Sequence, residues 1–568
     1  MKRLERKVLI RRDVTTIWPL LSDTDKLNRE MGLPAIKFTI LPQAEGGSIR
    51  RGQVAIAGLT VSYTEEPFEW ERHHYYKVKR TFDNGPLLWV EGGISLESID
   101  GFTQATVFSE AEAKPGMQWV ANAFLADAVS KAETVCQSLN QNQVIPFEKQ
   151  RKSNPANRNE GVRCATLMCG FGAKRATVDT LLGWIEQEAP ANLTAIRPFA
   201  VANELAVDSR EMAITMLCGV RAGLLDLRWR VLCPNCRGNR QLVGSLSDLE
   251  ATYHCESCRI QFDSHYDKNV ELIFRPSASY RVVDQNEYCI AGPMTTQHVV
   301  SQWRLAPGES RQVCLQECQQ PVIKSLQVHA EPVALSSFSE LRVRISADSI
   351  SVSEASNGSI TLENTASHPV TLQLEDSAWK ADILSAHEAS LLPEMRQWFS
   401  SEILSPNREM QVSRVAILFS DLCDSTKMYE EIGDAPSFGR VQAHFELMKQ
   451  IVATQHGVIV KTIGDAVMAA FPTALEATEA SMRILKQVPQ SGLAVKLGLH
   501  EGPALVMTCN GISDYFGATV NRAAKLQKGA GPNEAWLSER AFLSQPGLSG
   551  ESVTFGNGIA YRLRLEEL

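Results

Sequence analysis

Two carboxylates in the last third of the chain stand at positions where a divalent cation could bind. Asp421 ends the alternating segment VSRVAILFSD, which predicts a strand, and Asp465 lies at the turn of the hairpin-like segment VIVKTIGDAVMAAF. Two carboxylates held together repel each other unless cations compensate their charge, and Mg²⁺ or Mn²⁺ accepts hard oxygen ligands of this kind. A pair of such ions can activate an attacking oxygen and neutralise a leaving phosphate.

The segments around these aspartates alternate between strand-like and helix-like patterns. A helix-like run with Phe445 and Met448 on one face separates Asp421 from the hairpin, which is followed by a helix (ALEATEASMRILKQV) and a strand (LAVKLGLHEG). The order β-α-β-β-α-β is that of the ferredoxin-like palm, in which the first strand and the central hairpin are neighbours. Asp421 and Asp465 are therefore predicted to converge, although they are 44 residues apart.

The segments FSDLCDST, VKTIGDAVMAAF and DYFGATVNRAAKL resemble the three signature segments of class III nucleotidyl cyclases, and the resemblance covers residues 412–568. It implies attack of a ribose 3'-hydroxyl on the α-phosphate with release of pyrophosphate. It also implies that two Mg²⁺ or Mn²⁺ ions are bound by Asp421, Asp465 and the carbonyl of Leu422. The phosphates would meet the backbone N–H groups of four turn residues, Cys423, Asp424, Ser425 and Thr426.

Base selection in this family rests on two positions, which are Lys461 and Asp514 in this sequence. Adenine presents an acceptor ring nitrogen and a donor amino group on one edge, and a lysine donor with an aspartate acceptor complements that edge. Guanine inverts the edge and would call for a glutamate in place of Lys461. The resemblance therefore implies ATP as the substrate. The alternative for Lys461 alone is a solvated strand lysine, and its coincidence with Asp514 favours the functional interpretation.

The segment NRAAK follows the family at its first position and departs from it at the last. Asn521 corresponds to the asparagine that orients the ribose, but Lys525 stands where the family has an arginine that stabilises the pentavalent transition state. Lysine keeps the charge and loses the planar bidentate fork, which predicts a lower rate or a changed metal preference. Arg522 could compensate only by turning into the site, because it lies about 100° around the helix from Asn521.

The terminal hairpin is a second departure from the family. Many members carry a triphosphate-binding lysine there, whereas this turn is Gly556-Asn557-Gly558, with Arg562 and Arg564 as distant candidates. His500 is interpreted as a structural histidine at a strand end, because the family requires no dedicated protein base. Family members are head-to-tail dimers that combine the metal aspartates of one chain with the base-selecting residues of the other, which implies a homodimer with two composite sites.

Four cysteines near the middle of the chain have the spacing of a zinc ribbon. Cys233 and Cys236 form one C-x2-C pair, Cys255 and Cys258 form a second pair, and eighteen residues separate the two pairs. Four thiolates complete a tetrahedral Zn²⁺ site and leave no open position, so we expect a structural metal. The alternatives are a ribbon that has lost its metal and a redox-active pair of dithiols.

Residues 1–145 combine a strand, two short helices that follow Asp13, a run of alternating strands and a long closing helix. This pattern resembles the START-like (polyketide-cyclase-related) helix-grip fold, in which the curved sheet and the last helix enclose a hydrophobic cavity. The resemblance implies a hydrophobic small ligand. The alternative is that side chains fill the cavity and that the domain is purely structural.

Residues 165–268 predict a winged-helix-like segment that runs into the zinc ribbon, after a Pro/Asn-rich linker at residues 151–163. DNA binding would require basic and polar residues on the third helix. That helix instead carries Met212, Met216 and Leu217. A packing role between domains is therefore favoured, and nucleic acid is a disfavoured partner.

Two further segments precede the cyclase-like region. Residues 269–380 read as short alternating strands and predict a β-rich, sandwich-like module, to which we assign no chemistry. Residues 385–404 have apolar residues at helical spacing and predict one connecting helix. Such a helix could transmit a signal or set a dimer geometry, and an ordinary packed helix is the alternative.

The composition bounds these assignments. A chain of 568 residues with 44% hydrophobic and 21% charged residues predicts a multidomain α+β protein. The net charge of -8 gives no support for a nucleic-acid or anionic membrane surface. Thirteen cysteines, an odd number, favour reduced thiols, and neither a membrane-spanning run nor a signal peptide is recognisable, so a cytoplasmic location is expected.

We therefore expect an adenylate cyclase that is controlled by N-terminal sensor or scaffold domains. The alternatives are a weakly active or inactive cyclase-like regulatory protein that binds nucleotide, and a cyclase of another nucleotide preference. A zinc-containing transcription factor is disfavoured by the apolar third helix and the acidic charge balance.

Overall fold

The computed structural model describes residues 2–43, 48–56, 58–140, 155–235, 237–256, 260–283, 286, 288–313, 318–328, 332–335, 341–354, 360–377, 382–405, 408–556 and 558–564. Among the helices in these ranges, none has the length and apolar character needed to span a membrane.

The N-terminal unit is an antiparallel sheet with helices on one side. Its strands are β1 (Lys2–Ile10), β2 (Lys37–Pro42), β3 (Ser48–Ile56), β4 (Leu59–Glu65), β5 (Glu69–Glu71), β6 (Tyr75–Phe82), β7 (Leu87–Ile99) and β8 (Phe102–Ala113). Its helices are α1 (Val14–Leu21), α2 (Thr24–Glu30) and α3 (Gln118–Ser138). The predicted order of elements is present, and the Asp13 carboxylate caps α1 by accepting the Thr15 N–H at 2.8 Å.

The closing helix α3 packs on β1 and β8, and a cavity of about 200 Å³ lies between α2, α3 and the sheet. Apolar side chains such as Phe68, Val78 and Ile94 line the cavity together with Arg80. Arg80 forms an ion pair with the fully buried Glu65 at 2.9 Å. The cavity is smaller than the roughly 300–1,000 Å³ of ordinary ligand pockets, so a lipid-sized ligand would have to expand it.

A helical unit follows, and it starts earlier than the sequence predicts. Its elements are α4 (Arg158–Gly170), α5 (Arg175–Gln187), α6 (Pro198–Leu205), α7 (Ser209–Ala222) and strands β9 (Leu225–Leu232), β10 (Asn239–Val243), β11 (Thr252–Cys255), β12 (Ile260–Asp263) and β13 (Val270–Pro276). The predicted linker at 151–163 is wrong from Arg158 onward, because Asn157 caps α4 and Cys164, Ala165 and Met168 bury its inner face. Helix α7 is buried along most of its length, as is expected of a packed helix.

The two described cysteines of the predicted zinc ribbon are buried. Cys233 follows β9, and Cys255 ends β11, which pairs with β12. Cys236 and Cys258 lie outside the described residues, so the four-thiolate site stays a prediction.

The β-rich module contains β14 (Val299–Leu305), β15 (Ser310–Val313), β16 (Pro321–Ser325), β17 (Val333–Ala334), β18 (Leu341–Ile345), β19 (Ile350–Glu354), β20 (Ile360–Asn364) and β21 (Val370–Asp376). Strands β14, β21, β16 and β17 form one sheet and β15, β20, β18 and β19 a second, with Trp303, Val343 and Leu372 in the core between them. Strand β14 also pairs with β5, which joins the first of these sheets to the N-terminal sheet.

The segment predicted as one connecting helix over 385–404 is two short helices, α8 (Ala386–Ser390) and α9 (Pro393–Trp398). Ser385 and Glu388 form a capping box at the start of α8. Pro393 has no N–H to continue the hydrogen-bonding of α8 and instead begins α9. Apolar spacing alone therefore overestimated the length of this helix.

The C-terminal unit has the predicted β-α-β-β-α-β order. Its strands are β22 (Glu409–Leu422), β23 (Val458–Ile463), β24 (Ala466–Phe471), β25 (Val495–Cys509), β26 (Ile512–Phe516), β27 (Glu534–Ser538), β28 (Glu551–Phe555) and β29 (Gly558–Arg564). Its helices are α10 (Ser425–Ile432), α11 (Asp434–Thr454), α12 (Ala474–Gln487), α13 (Ala518–Gly529) and α14 (Glu539–Leu543).

The sheet of this unit has the order β23-β24-β22-β25-β27-β29-β28, and β26 pairs with β25. Its central strand β22 is buried on both faces. Leu418 packs toward Met448 and Ile484 of the helices, whereas Ile417 belongs to a cluster with Leu391 and Met395 of the connecting segment. The two-sided burial fixes β22, and therefore the residue at its end, within the domain.

Candidate active site

The register of the sheet brings Asp421 and Asp465 together. Ser420 on β22 pairs with Val467 on β24, so Asp421 lies one residue beyond this pair, beside the turn between β23 and β24. That turn is the predicted Gly464-Asp465, in which Gly464 has a φ of 65° that a residue without a Cβ adopts at little cost. The end of β22 and the turn between β23 and β24 thus present the two carboxylates at the same edge of the sheet.

The two aspartates carry more negative charge than their surroundings compensate, because the nearby Lys496 lowers the pKa of Asp421 by less than burial and Asp465 raise it. Burial raises the pKa of the Asp421 carboxyl, and the neighbouring Asp465 raises it further. The Oδ2 atom of Asp465 is buried and has no hydrogen-bond partner among the described residues. An unpaired buried carboxylate oxygen is costly, and a cation at this position would satisfy it.

The donor set is one that Mg²⁺ or Mn²⁺ accepts. Two carboxylates with the adjacent carbonyl of Leu422 supply only oxygen ligands, as these hard cations require. Across the ranges given above, no cluster of three or more His, Cys, Asp and Glu side chains could hold a metal. A divalent cation held by the two carboxylates would be completed by ligands such as phosphate oxygens and water, which is the usual situation for Mg²⁺.

In the turn after β22, at least one of the four backbone N–H groups that are predicted to meet phosphate is already hydrogen-bonded. The N–H of Cys423 donates to the carbonyl of Ala494 at 2.8 Å and is therefore engaged. Asp424 has a φ of 54°, and α10 begins at Ser425. The first N–H groups of a helix have no partner inside it, so those of Ser425 and Thr426 remain suited to an anion.

The two predicted base-selecting residues are in direct contact. The Lys461 ammonium on β23 lies 2.5 Å from Oδ2 of Asp514 on β26, and the side chains are 29% and 4% exposed. The other carboxylate oxygen of Asp514 accepts the N–H of Tyr515 at 2.8 Å. The lysine also lies over the ring of Phe516, with its nitrogen 5.6 Å from the centroid. Lys461 is therefore a held group rather than a freely solvated one.

The strand that carries Asp514 is braced by the connecting segment. Arg396 donates to the carbonyl of Ser513 at 3.1 Å, and the buried Tyr515 hydroxyl lies 3.4 Å from both Ser390 Oγ and His387 Nδ1. These contacts hold the residues on either side of Asp514. The geometry at Asp514 thus depends on α8 and α9.

Asn521 and Lys525 lie one turn apart on α13 and are exposed. Within the described part of the chain, neither side chain makes a hydrogen bond or an ion pair. Gln527, which the sequence analysis missed, is buried on the opposite side of α13 and donates to Oδ2 of Asp421 at 3.3 Å. Sequence pattern gave no signal for this contact, because glutamine at a helix end is ordinary.

Two arginines are candidate substitutes for the missing terminal lysine, and Arg522 is a candidate substitute for the arginine absent at position 525. Arg562 and Arg564 are both paired with Glu534, at 3.5 and 3.0 Å, so their charge is already used. Arg522 lies close to Gly558, the last residue of the predicted turn, where a Cβ would be 3.9 Å from Nη2 of the arginine. Asn557 lies outside the described residues. Arg522 is therefore the guanidinium nearest this hairpin that has no described acidic partner.

Two histidines flank the site. Nδ1 of His500 lies 2.7 Å from the Ser538 hydroxyl, which agrees with the predicted structural role. His444 on α11 was missed: it is buried, and neither ring nitrogen has a hydrogen-bond partner among the described residues. Burial lowers the pKa of His444 to about 4, an effect that the nearby Asp465 opposes. A neutral imidazole thus lies behind the carboxylate pair.

Comparison with known proteins identifies two regions of the chain. Residues 408–546 match the family model described as "Adenylate and Guanylate cyclase catalytic domain", and residues 168–288 match one described as a family of unknown function. The C-terminal unit is thus a class III cyclase catalytic domain, as predicted.

Individual relatives match about a quarter of the chain. An adenylate cyclase of Streptomyces coelicolor is 29% identical over 139 residues, which are 24% of this chain and 36% of that protein. An adenylate cyclase of Mycosarcoma maydis is 28% identical over 176 residues, which are 26% of this chain and 7% of that protein. The solved structure of the adenylyl cyclase CyaB from P. aeruginosa is 19% identical and aligns with 27% of this chain and 94% of its own, with a TM-score of 0.25.

His500 predicts how acid affects this domain. Burial, with the positive charges of Arg522 and Arg540, lowers the pKa of His500 to about 4, below the ordinary value of about 6.5 in an unfolded chain. Its contribution to stability is therefore complete above about pH 6.5 and is lost as the pH falls toward 4.

The His500→Asn chain keeps a partner for Ser538 but has no group that titrates at this position. Between pH 7 and pH 5, we expect its free energy of unfolding to fall by about 1–2 kcal/mol less than that of the parent. His74→Asn at an exposed position is the matched control and should behave like the parent. Equal acid sensitivity of the His500→Asn chain and the parent would show that His500 is not protonated on unfolding.

Proposed function

We propose that the chain is an adenylate cyclase, which converts ATP to 3',5'-cyclic AMP and pyrophosphate. The observation that carries the proposal is the convergence of Asp421 and Asp465, with one buried and unpartnered oxygen, inside a cyclase catalytic domain. Adenylate cyclases of other organisms match 20% to 26% of the chain, and the matches span only 6% to 36% of the length of those proteins, so the activity of the whole protein belongs to the proposal.

The residues have separate tasks in this proposal. Asp421, Asp465 and the Leu422 carbonyl would hold Mg²⁺ or Mn²⁺, which supplies the positive charge that favours ionisation of the 3'-hydroxyl and departure of pyrophosphate. The N–H groups at the start of α10 bind phosphate oxygens. Asn521 orients the ribose, and Lys525 brings a cation to the charge that develops at the α-phosphate.

Selection of adenine rests on the contact between Lys461 and Asp514. An ammonium group has three N–H donors, so one can remain on Asp514 while another donates to an adenine ring nitrogen. A carboxylate oxygen accepts more than one hydrogen bond, so Oδ2 of Asp514 can also accept from the adenine amino group. Guanine would place a donor against the ammonium and an acceptor against the carboxylate, and both contacts would be repulsive.

A homodimer through the catalytic domain is part of the proposal. Asn521 and Lys525 are exposed and without described partners, whereas Asp421 and Asp465 are drawn together elsewhere on the surface. Each chain therefore carries both halves of a site, and two chains related by a two-fold axis would form two composite sites.

The second candidate is a cyclase-like regulatory protein that binds nucleotide and turns it over slowly. The pairing of Arg562 and Arg564 with Glu534, and the lysine at position 525, favour it. Arg522 beside the terminal hairpin favours the enzyme, because its guanidinium can take the place of the missing triphosphate-binding lysine.

Three further assignments are proposals about the rest of the chain. The N-terminal unit with its cavity is proposed as a START-like sensor of a small apolar ligand that regulates the domain. The segment before β10 and the hairpin of β11 and β12 are proposed as a zinc ribbon. The cytoplasmic location rests on cysteine usage in the sequence and stays a prediction.

Metal analysis tests the ribbon. We expect the purified chain to contain one Zn²⁺ bound by Cys233, Cys236, Cys255 and Cys258, and the Cys255→Ser chain to lose it, since tetrahedral thiolate sites do not retain zinc well with three ligands. Cys136→Ser, at a buried cysteine of α3, is the control. Retention of zinc after Cys255→Ser, or its absence from the parent, would contradict the assignment.

The direct test of the enzyme is to incubate the purified chain with ATP or GTP and Mg²⁺ or Mn²⁺ and to measure cyclic nucleotide and pyrophosphate. We expect cyclic AMP from the parent and a loss of roughly 100-fold or more in Asp465→Ala, because the charge at the reacting phosphate is no longer compensated. Asp179→Asn, at an exposed aspartate, should leave the rate unchanged. A folded parent that makes no cyclic product with any nucleotide and either metal would contradict the proposal.

Base selection is tested by changing Lys461. We expect Lys461→Glu to lower kcat/KM for ATP by roughly 10- to 100-fold and to reduce the preference over GTP, because the donor to adenine is replaced by an acceptor. Lys461→Met removes the donor to adenine without placing a second negative charge beside Asp514, so it separates loss of the donor from repulsion. Lys449→Glu is the control that makes the same charge change at an exposed site of α11. An unchanged preference for ATP in both Lys461 variants would show that this residue does not read the base.

The departure at position 525 gives a gain-of-function test. We expect Lys525→Arg to raise kcat by about tenfold with little change in KM, because a planar fork binds the developing charge with two hydrogen bonds. Lys528→Arg, an exposed lysine of the same helix, is the matched control. A lower or unchanged kcat in the Lys525→Arg chain would mean that the lysine is not the group that stabilises the transition state.

A further inference from the structure

A cavity of about 640 Å³ lies far from the cyclase site, where the N-terminal sheet, the helical unit and the β-rich module meet. Side chains from all three units line it. We call it the arginine cavity after the five arginines among its lining residues, Arg50, Arg197, Arg230, Arg237 and Arg240. No aspartate or glutamate is among the described residues that line it.

The acidic groups behind the cavity balance only part of this charge. Glu271, which is 1% exposed, pairs with both Arg197 and Arg230, and Arg197 is also 3.8 Å from Asp382. Arg50 and Arg240 form no ion pair with any residue in the described ranges. Burial lowers the pKa of both Arg230 and Arg237, and the nearby Glu271 and Glu375, respectively, oppose this effect. The positive charge that remains uncompensated is that of Arg50 and Arg240.

A second observation comes from a buried amide on the cavity wall. Gln373 is 4% exposed and donates to Oε1 of Gln302 at 2.5 Å, and the Gln302 amide donates in turn to the carbonyl of Phe68. The Oε1 atom of Gln373 has no hydrogen-bond partner among the described residues. A buried acceptor of this kind requires a donor, and the arginine cavity is the space it lines.

We propose that the arginine cavity binds a phosphorylated small molecule that carries a hydroxyl or amino donor. Guanidinium groups bind phosphate oxygens through paired hydrogen bonds, and a phosphate concentrates negative charge in a small volume. The donor on the ligand satisfies Gln373. The volume lies within the range of small-molecule pockets, and apolar residues such as Ile290, Met294 and Leu326 complete the lining. The proposal is independent of the cyclase activity.

The test is isothermal titration calorimetry on the full chain in magnesium-free buffer, with ribose 5-phosphate, pyrophosphate and citrate as probes. We expect ribose 5-phosphate to bind, and the double variant Arg50→Ser/Arg240→Ser to weaken it at least about tenfold, because two cationic donors are lost. Arg50→Lys, which keeps the charge and loses the fork, should weaken it less. Arg158→Ser, at an arginine whose side chain is 85% exposed, is the matched control.

Two further variants locate and characterise the site. Gln373→Leu should weaken ribose 5-phosphate and leave pyrophosphate unaffected, because only the sugar phosphate offers a donor to that amide. Asp465→Ala should bind every probe like the parent, since it changes only the cyclase site. Circular dichroism and the melting temperature without probe establish that each variant is folded.

Several results would overturn the proposal. These are absence of binding to the parent at millimolar probe, unchanged binding in both Arg50 variants, and altered binding in Asp465→Ala, which would place the probe in the cyclase site. Citrate that binds as tightly as ribose 5-phosphate would also overturn the proposal, because the cavity would then be a site for carboxylates rather than for phosphates.

Discussion

The repulsion between two carboxylates held at the end of one strand and the tip of one hairpin is the constraint on which this catalytic domain depends. Asp421 and Asp465 are brought together by the pairing of β22 with β24, and burial and mutual charge raise the pKa of Asp421. Such an arrangement costs stability in the absence of a cation. The fold meets this cost by burying β22 on both faces, so that the strand cannot relax away from the hairpin. Gln527 donates one neutral hydrogen bond to Asp421, and the positive charge of Lys496 offsets only part of the rise in the pKa of Asp421.

The same hairpin carries Lys461 four residues before Asp465, yet the two charges are used separately. Lys461 lies against Asp514, and Asp514 is held in turn by the contacts of Arg396, His387 and Ser390 with its two neighbours. The connecting segment between the β-rich module and the catalytic domain therefore packs on the strand that would recognise the base. A change in the packing of α8 and α9 would therefore reach that strand through side chains that are already in contact.

Much of the catalytic domain could be predicted from the sequence because short-range rules determine it. Alternation located β22 and the β23–β24 hairpin, and glycine at position 464 supplied the turn. The missed features depend on long-range packing. The first residues of α4 have the composition of a polar linker, and only the burial of Cys164 and Met168 in the folded chain shows that they begin a packed helix. At the connecting segment, Pro393 ends the helix that the apolar spacing predicted to be continuous. Gln527 and His444 have no sequence signal, because only the folded sheet and helix α11 bring them to the aspartates.

The central claim is that the carboxylate pair of one chain works with the base-selecting and transition-state residues of a second chain, and complementation tests it most directly. Asp465→Ala and the double variant Lys461→Met/Lys525→Ala would each be measured alone and after mixing and subunit exchange, with cyclic AMP as the readout. Each mixed dimer has one intact composite site, whereas each parent dimer has two. If half of the dimers are mixed, two chains that are inactive separately should therefore recover roughly a quarter of the parent rate. No recovery, in a sample where mixed dimers are shown to form, would contradict it.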